Sequence, residues 1–256
     1  MRGQSQFPQD RSDIQYAVKE LSTAMSDPGS VDMAKMKRLA RYLIRVPRCV
    51  VKYDYQSKVE ALVAWSDSDF AGCLKSRKST SGGIIMFGGC VIKSYSSQQA
   101  VRALSSGEAE YYAMVKAASV AIGVRSMLMD LGVTEGRIVL KTDASAALGV
   151  AQRLGIGKIR HIEVNQLWLQ EKVYNGDIIV EKVGTDENLA DALTKPLTSQ
   201  GVLKHVEGLR YDMRQDRHRL APSVGEKGED GDGDENDDDD DDVDVDGDDY
   251  EESPGE

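Results

Sequence analysis

The sequence predicts an α/β fold on a mixed five-stranded sheet, and three observations carry the prediction. Period-2 alternation and a Gly-Gly hairpin signal come early, one long capped helix follows, and short strands then alternate with helical stretches. The resulting order, βββαβαβα, has hairpins first and crossovers afterward. It calls for three antiparallel strands, two further parallel ones, and helices packed on the sheet faces.

Residues 12–45 show two stretches of helical period, Ile14/Ala17/Val18/Leu21/Met25 and Met33/Met36/Leu39/Ala40/Leu43, parted by the turn Ser26-Asp27-Pro28-Gly29-Ser30. They read as a helical hairpin. Its second helix carries Lys35, Lys37, Arg38, Arg41 and Arg45, a basic face suited either to solvent or to phosphate. Residues 50–55 and 59–67 alternate in the β manner, and the apolar stretches 83–87 and 91–95 flank Gly88-Gly89-Cys90. Ser105-Ser106-Gly107-Glu108 matches a capping box, which predicts a helix continuing through Ala109, Ala113, Ala117, Ala121 and Leu128. A strand over 137–142, a helix over 144–153, a helix over 161–175, a strand over 177–183 and a last helix over 188–194 complete the set.

Charge divides the chain. Of 256 residues, 32 are Lys or Arg and 43 are Asp or Glu, for a formal charge of −11. Residues 224–256 hold 19 acids against one lysine, a charge of −18, which leaves residues 1–223 with 31 basic and 24 acidic residues, +7. A segment so charged and so poor in apolar residues cannot offset its ordering entropy and is expected to be disordered. The predicted organisation is a helical hairpin over 1–57, an α/β domain over 58–200, an extension over 201–222 and an acidic tail over 223–256. No run approaches the about 18 consecutive apolar residues of a membrane span, and the N-terminus lacks the apolar core of a secretion signal. An intracellular protein, cytoplasmic or nuclear, is expected. Cys49, Cys73 and Cys90 have no metal-ligand spacing and read as small hydrophobes.

Four acidic residues stand where catalysis would want them, and each also has an ordinary explanation. Asp67 ends a strand, where it could simply be solvated. Glu110 lies early in the capped helix, on the face of Ala113 and Ala117, and could be a dipole partner. Asp143 sits at a strand-to-helix junction and could be an N-cap. Asp191 could be a first-turn residue. Taken together, three Asp and one Glu without a His or Cys cluster make an all-oxygen set that suits Mg2+. Two such ions about 4 Å apart can activate water and stabilise the leaving oxygen of a phosphodiester.

The stretches Trp65-Ser66-Asp67-Ser68-Asp69-Phe70-Ala71-Gly72, Arg77-Lys78-Ser79-Thr80-Ser81-Gly82-Gly83, Ala103-Leu104-Ser105-Ser106-Gly107-Glu108-Ala109-Glu110-Tyr111, Lys141-Thr142-Asp143-Ala144-Ser145-Ala146 and Leu189-Ala190-Asp191-Ala192-Leu193-Thr194-Lys195-Pro196-Leu197 strongly resemble the ribonuclease H domain of copia-type LTR retrotransposon polyproteins. The resemblance runs in order from about Asp13 to Leu197, and the opening hairpin looks like the connection that precedes this domain. It implies a ribonuclease H-like fold, with Asp67, Glu110, Asp143 and Asp191 as catalytic, metal-binding carboxylates for two Mg2+ or Mn2+ ions. The implied substrate is the RNA strand of an RNA–DNA hybrid, cut to a 3′-hydroxyl and a 5′-phosphate. Lys75, Arg77, Lys78, Ser79, Thr80 and Ser81 are the candidates for phosphate contact.

No reverse-transcriptase aspartate motif precedes Asp13, so the chain is expected to be either a fragment or a stand-alone relic of a larger polyprotein, with a polymerase domain in the parent polyprotein as a candidate partner, and not to copy nucleic acid itself. Leu167 stands where many relatives have His, whereas His161 matches the pattern. The loop 183–188 lacks the His that assists cellular ribonucleases H; Asp186 or Glu187 could substitute. The tail suits either a basic partner or a solubilising role. Two alternatives stay open: a catalytically inactive retroelement remnant that binds nucleic acid or a partner, and a DNA nuclease or integrase-like enzyme on the same fold.

Overall fold

The computed structural model describes residues 11–56, 59–133, 136–155, 157, 162 and 166–216. The folded unit falls within Met1–Arg219, whereas Leu220–Glu256, including the acidic tail, lies outside the described residues.

Five strands form the main sheet: β2 (Ala61–Ser68), β3 (Thr80–Phe87), β4 (Cys90–Gln98), β5 (Arg137–Thr142) and β6 (Ile178–Lys182), in the order β4-β3-β2-β5-β6. Pairing is antiparallel from β2 through β4 and parallel from β2 to β5 and β5 to β6. This is the mixed five-stranded sheet that the order of elements predicts, with the ribonuclease H-like fold that the resemblance implies. Its parallel strands need crossovers, supplied by α3 (Ser106–Asp130) before β5 and by α4 (Ser145–Ala151) and α5 (Trp168–Tyr174) before β6.

α3 starts as its sequence predicts. Ser105 Oγ accepts from Glu108 N–H at 3.2 Å. The Glu108 carboxylate reaches back one residue further than a capping box requires, accepting from Leu104 N–H at 2.9 Å. Ala113, Met114, Ala117, Ala118 and Ala121 are fully buried, so small side chains let the helix lie close on the sheet. By length and mean hydropathy α3 could cross a membrane. That apolar face is instead used up against Leu62, Ala64, Ile138 and Leu140. A second cluster fills the opposite sheet face, where Ile84 and Met86 meet Leu193, Val206, Leu209 and Tyr211.

The opening hairpin forms as α1 (Ser12–Thr23) and α2 (Ser30–Arg45). No α2 residue is buried, and all five of its basic side chains are exposed.

Three readings of the sequence differ from the fold. The alternating stretch after Pro47 yields β1 (Arg48–Val51), which leaves the main sheet and pairs antiparallel with β7 (Tyr211–Arg214). The segment 201–222, read only as an extension, supplies α6 (Ser199–Gly208), capped by Thr198, together with β7. α6 and β7 pack Val206, Leu209 and Tyr211 against Ile84 and Met86 of β3. The expected helix over 188–194 is replaced by two 3-10 turns, Thr185–Glu187 and Asp191–Leu193. Asn188 Oδ1 accepts from Ala190 N–H at 3.2 Å, a local side-chain bond that competes with the helical ladder. Of the helix expected over 161–175 the described part is α5, and His161 lies outside the described residues.

Candidate active site

The carboxyl ends of β2 and β5 and the first turns of α3 converge at one end of the sheet, and each brings an acidic side chain. Asp67, Glu110 and Asp143 offer oxygens that all lie within 4.8 Å of one another. The ordinary explanations for Asp67 and Asp143 do not fit their surroundings. Asp67 is not a solvated strand end, being only 6% exposed. Asp143 is not a helix cap, since α4 has Ala144 at its N-cap and no side-chain capping bond; the Ala144 N–H goes to Thr142 Oγ1 at 3.2 Å. Glu110 has a buried Oε2 with no hydrogen-bond partner.

Such an arrangement is electrostatically costly without a cation. Burial, reinforced by Asp67 and Asp143, pushes the Glu110 carboxyl up to about 9, against the pull of the Ser68 backbone N–H. Burial likewise lifts Asp67 to about 6, assisted by Asp191 and Asp143 and opposed by a hydrogen bond from Thr194. An all-oxygen donor set with an orphaned buried oxygen is chemically suited to a hard divalent ion.

Asp191 stands apart from the trio. Its carboxylate is held by Lys195 Nζ at 2.6 Å, one helical turn along the chain. It is still close enough to raise both Asp67 and Glu110. The structure therefore brings three of the four expected carboxylates together and tethers the fourth beside them.

Two glycines allow this convergence. Gly82 is the β3 partner of Asp67, and a Cβ there would meet Leu193 Cβ at 2.8 Å, Ala190 O at 2.9 Å and Thr194 Cγ2 at 2.9 Å. Its missing side chain is what lets the segment 188–194 lie on the sheet beside Asp67. Gly107 plays the same part for α3 and α4, where a Cβ would stand 2.9 Å from Ala146 Cβ.

Asn188 and Thr194 are further members that the sequence reading passed over. Thr194, 1% exposed, donates to Asp67 Oδ2. Asn188 Nδ2 approaches Ser66 O at 3.0 Å, Asp143 Oδ1 at 3.3 Å and Asp67 Oδ1 at 3.5 Å. Their sequence signal was polar residues spaced through an apolar segment around Asp191. His205 backs the same segment from α6: its Nδ1 donates to Leu189 O at 3.1 Å, and its Nε2 accepts from Ser12 Oγ at 3.0 Å.

The candidate phosphate contacts divide. Lys75 and Arg77 are exposed and Lys78 half-buried, in a loop closed by the Arg77 N–H to Cys73 O bond of 2.7 Å. Ser79, Thr80 and Ser81 are buried, and their hydroxyls already accept from Ala71 N–H at 3.0 Å, Lys19 Nζ at 2.8 Å and Gln99 Nε2 at 2.9 Å. These hydroxyls shape the loop. The three cations are what it presents outward. Asp186 and Glu187 stand exposed immediately before Asn188, and Leu167 precedes α5 and packs against the core.

No family model matches the chain. The retrovirus-related Pol polyprotein from transposon TNT 1-94 of Nicotiana tabacum is 31% identical over 186 residues, which are 72% of this chain and 14% of the polyprotein. That from transposon RE1 of Arabidopsis thaliana is 32% identical over 190 residues, 73% of this chain and 13% of the polyprotein. Among solved structures, LC11-RNase H1 in complex with RNA/DNA hybrid is 16% identical with a TM-score of 0.37, over 52% of this chain and 93% of that one. That superposition is too loose to add to what the strand order says about the fold. The chain spans about one seventh of the curated relatives it matches. Sequence relatives and sheet topology together place it in the copia-type retrotransposon Pol polyproteins, as a ribonuclease H-like segment of them.

Proposed function

We propose that the chain is a metal-dependent endoribonuclease of the ribonuclease H type, which hydrolyses the RNA strand of RNA–DNA hybrids. The observation that carries the reading is the meeting of Asp67, Glu110 and Asp143 within 4.8 Å at the strand ends, one of them with an orphaned oxygen. These three, with Asp191, are the residues that would hold two Mg2+ or Mn2+ ions. Such ions supply an activated water and charge neutralisation at the leaving oxygen.

The remaining work falls to the chain's own groups. Asn188 and Thr194 fix the Asp67 carboxylate from two sides. Lys75, Arg77 and Lys78, in the loop that follows β2, would take phosphates, and the exposed cations of α2 would be further phosphate contacts. Such contacts set affinity and its salt dependence, whereas contacts to 2′-hydroxyls distinguish RNA from DNA.

The test is cleavage of an end-labelled hybrid with and without Mg2+, using Asp67→Asn as control. Cleavage of the RNA strand that requires the metal and is lost in the variant is expected. Equal activity in both proteins, or hybrid binding that persists in chelator without any cleavage on adding Mg2+, would overturn the reading in favour of a non-catalytic binding module.

A further inference from the structure

Asn188 occupies an unusual place for a neutral residue. It is 5% exposed, and every neighbour of its Nδ2 is an oxygen acceptor: Ser66 O at 3.0 Å, Asp143 Oδ1 at 3.3 Å and Asp67 Oδ1 at 3.5 Å. Its Oδ1 accepts from Ala190 N–H at 3.2 Å. The orientation of the amide is therefore determined by chemistry, because a flipped side chain would set its oxygen against three others and its NH2 against an N–H. One hydrogen of the NH2 anchors on the β2 backbone, and the other is shared between the carboxylates of Asp67 in β2 and Asp143 just past β5.

We infer that Asn188 is a positioning residue that sets the separation of Asp67 and Asp143 for divalent-cation binding. The inference rests on the metal-dependent reading above and deepens it. Asp67 lies near the end of β2 and Asp143 just past the end of the parallel neighbour β5, and their charges repel. In the metal-free protein nothing else among the described residues donates to both. Asn is suited to the position where Asp, Leu or Lys would not be. Asp would add a fourth negative charge to the trio, Leu would leave Ser66 O unpaired, and Lys would take the cation's place permanently. The backbone supports the assignment, since the Asn188–Ala190 bond that breaks the expected helix also holds the amide in register with the sheet.

The experiment uses the full chain, free of nucleic acid for the metal titrations. Mn2+ binding is measured by titration calorimetry for the parent, Asn188→Leu and Asn188→Gln, and folding of each is monitored by thermal melting in chelator. Loss of an outer-shell partner of a metal-ligating group typically weakens binding by roughly 10–100-fold, which is the loss expected for Asn188→Leu, with partial recovery in Asn188→Gln. Hybrid affinity in chelator stays at the parent value, a separation that a purely structural role would not give. In parallel, the side-chain amide resonances of Asn188 in 15N-labelled parent protein shift on adding Mg2+, with the same midpoint as the backbone amides of Asp67 and Asp143. This second measurement decides the matter should Asn188→Leu fail to fold. Parent-like Mn2+ affinity in Asn188→Leu, equal loss of Mn2+ and hybrid binding, or amide resonances unmoved at saturating Mg2+ would overturn the assignment. Absence of any Mn2+ binding by the parent would instead overturn the metal reading beneath it.

Discussion

Gly82→Ala probes how the candidate site is held together, and its cost can be worked from three distances. An added Cβ would lie 2.8 Å from Leu193 Cβ, 2.9 Å from Ala190 O and 2.9 Å from Thr194 Cγ2. Carbon atoms pack at about 3.5–4.0 Å, so relief needs a movement of roughly 0.7–1 Å. One of the three neighbours is backbone, and Leu193 is fully buried, so the segment 190–194 has to lift as a whole. Overpacking of this kind costs roughly 1–3 kcal/mol. At about 2–4 °C per kcal/mol for a domain of this size, the melting temperature in chelator falls by roughly 2–12 °C. The lift also draws Thr194 away from Asp67, and a displacement of about 1 Å at a catalytic group can cost on the order of 100-fold in rate. Gly149→Ala is the matched control: it lies in α4 with nothing within 4 Å of the added Cβ. It should gain roughly 0.5–1 kcal/mol through helix propensity alone. Calorimetric melting and hybrid-cleavage rates are measured on both variants. If Gly82→Ala melts and cleaves like the parent, the segment is not clamped at this strand position and the geometric argument fails.

Three further outcomes are expected. Burial lowers the His205 imidazole to about 4, below its unfolded value of about 6.5, so between those pH values the unfolded chain takes up a proton that the folded protein refuses. Stability contributed by neutral His205 is complete above about pH 6.5 and falls as pH drops toward 4, by on the order of 3 kcal/mol. Asp67 and Glu110, with raised values, act in the opposite sense, so the difference in urea midpoints between the parent and His205→Gln across pH 4.5–7.5 isolates the imidazole; parallel curves would refute it. Lys195→Met releases Asp191 from its 2.6 Å ion pair. A partly exposed pair of this kind is worth about 0.3–1 kcal/mol, so Mn2+ affinity should rise roughly two- to five-fold in calorimetry if Asp191 joins the site, and unchanged affinity would leave Asp191 outside it. Asp67→Asn, besides abolishing cleavage, should raise the melting temperature in chelator because it removes a buried negative charge beside Asp191 and Asp143; a lower melting temperature would contradict that electrostatic account.

Local chemistry made much of this fold legible before any coordinates. The Ser105 cap and the alanine face of α3 sit where the sequence places them, because both signals are completed within a few residues. The chain order of strands and helices was readable from hairpin and crossover signals, whereas the pairing of β5 with β2 was not, being set by contacts remote in sequence. The pairing of β1 with β7 was not legible, since Arg48 and Arg214 meet only through contacts remote in sequence. The segment 188–194 was misread for a related reason: its apolar spacing suits a helix, but Asn188 spends its side chain on the sheet and on Ala190. The acidic residues at the site were identifiable by type and position, whereas Gly82 and Gly107 were seen without their purpose. Their purpose is an absence of atoms, visible only against the neighbours that fill the space. The Lys195 tether on Asp191 was accessible in principle from its i,i+4 spacing.

The small β1–β7 ribbon bears on how the outlying segments of the unit are held together. It brings Arg48 to Asp216 at 2.7 Å, while Arg11 reaches Val46 O at 3.1 Å and Ser12 meets His205 at 3.0 Å. The segments around Arg11 and Asp216 are therefore joined through the short stretch 46–48. Loss of either strand would free the other and uncover the cluster of Ile84, Met86, Leu209 and Tyr211 on which Cys49, Val51 and Met213 pack.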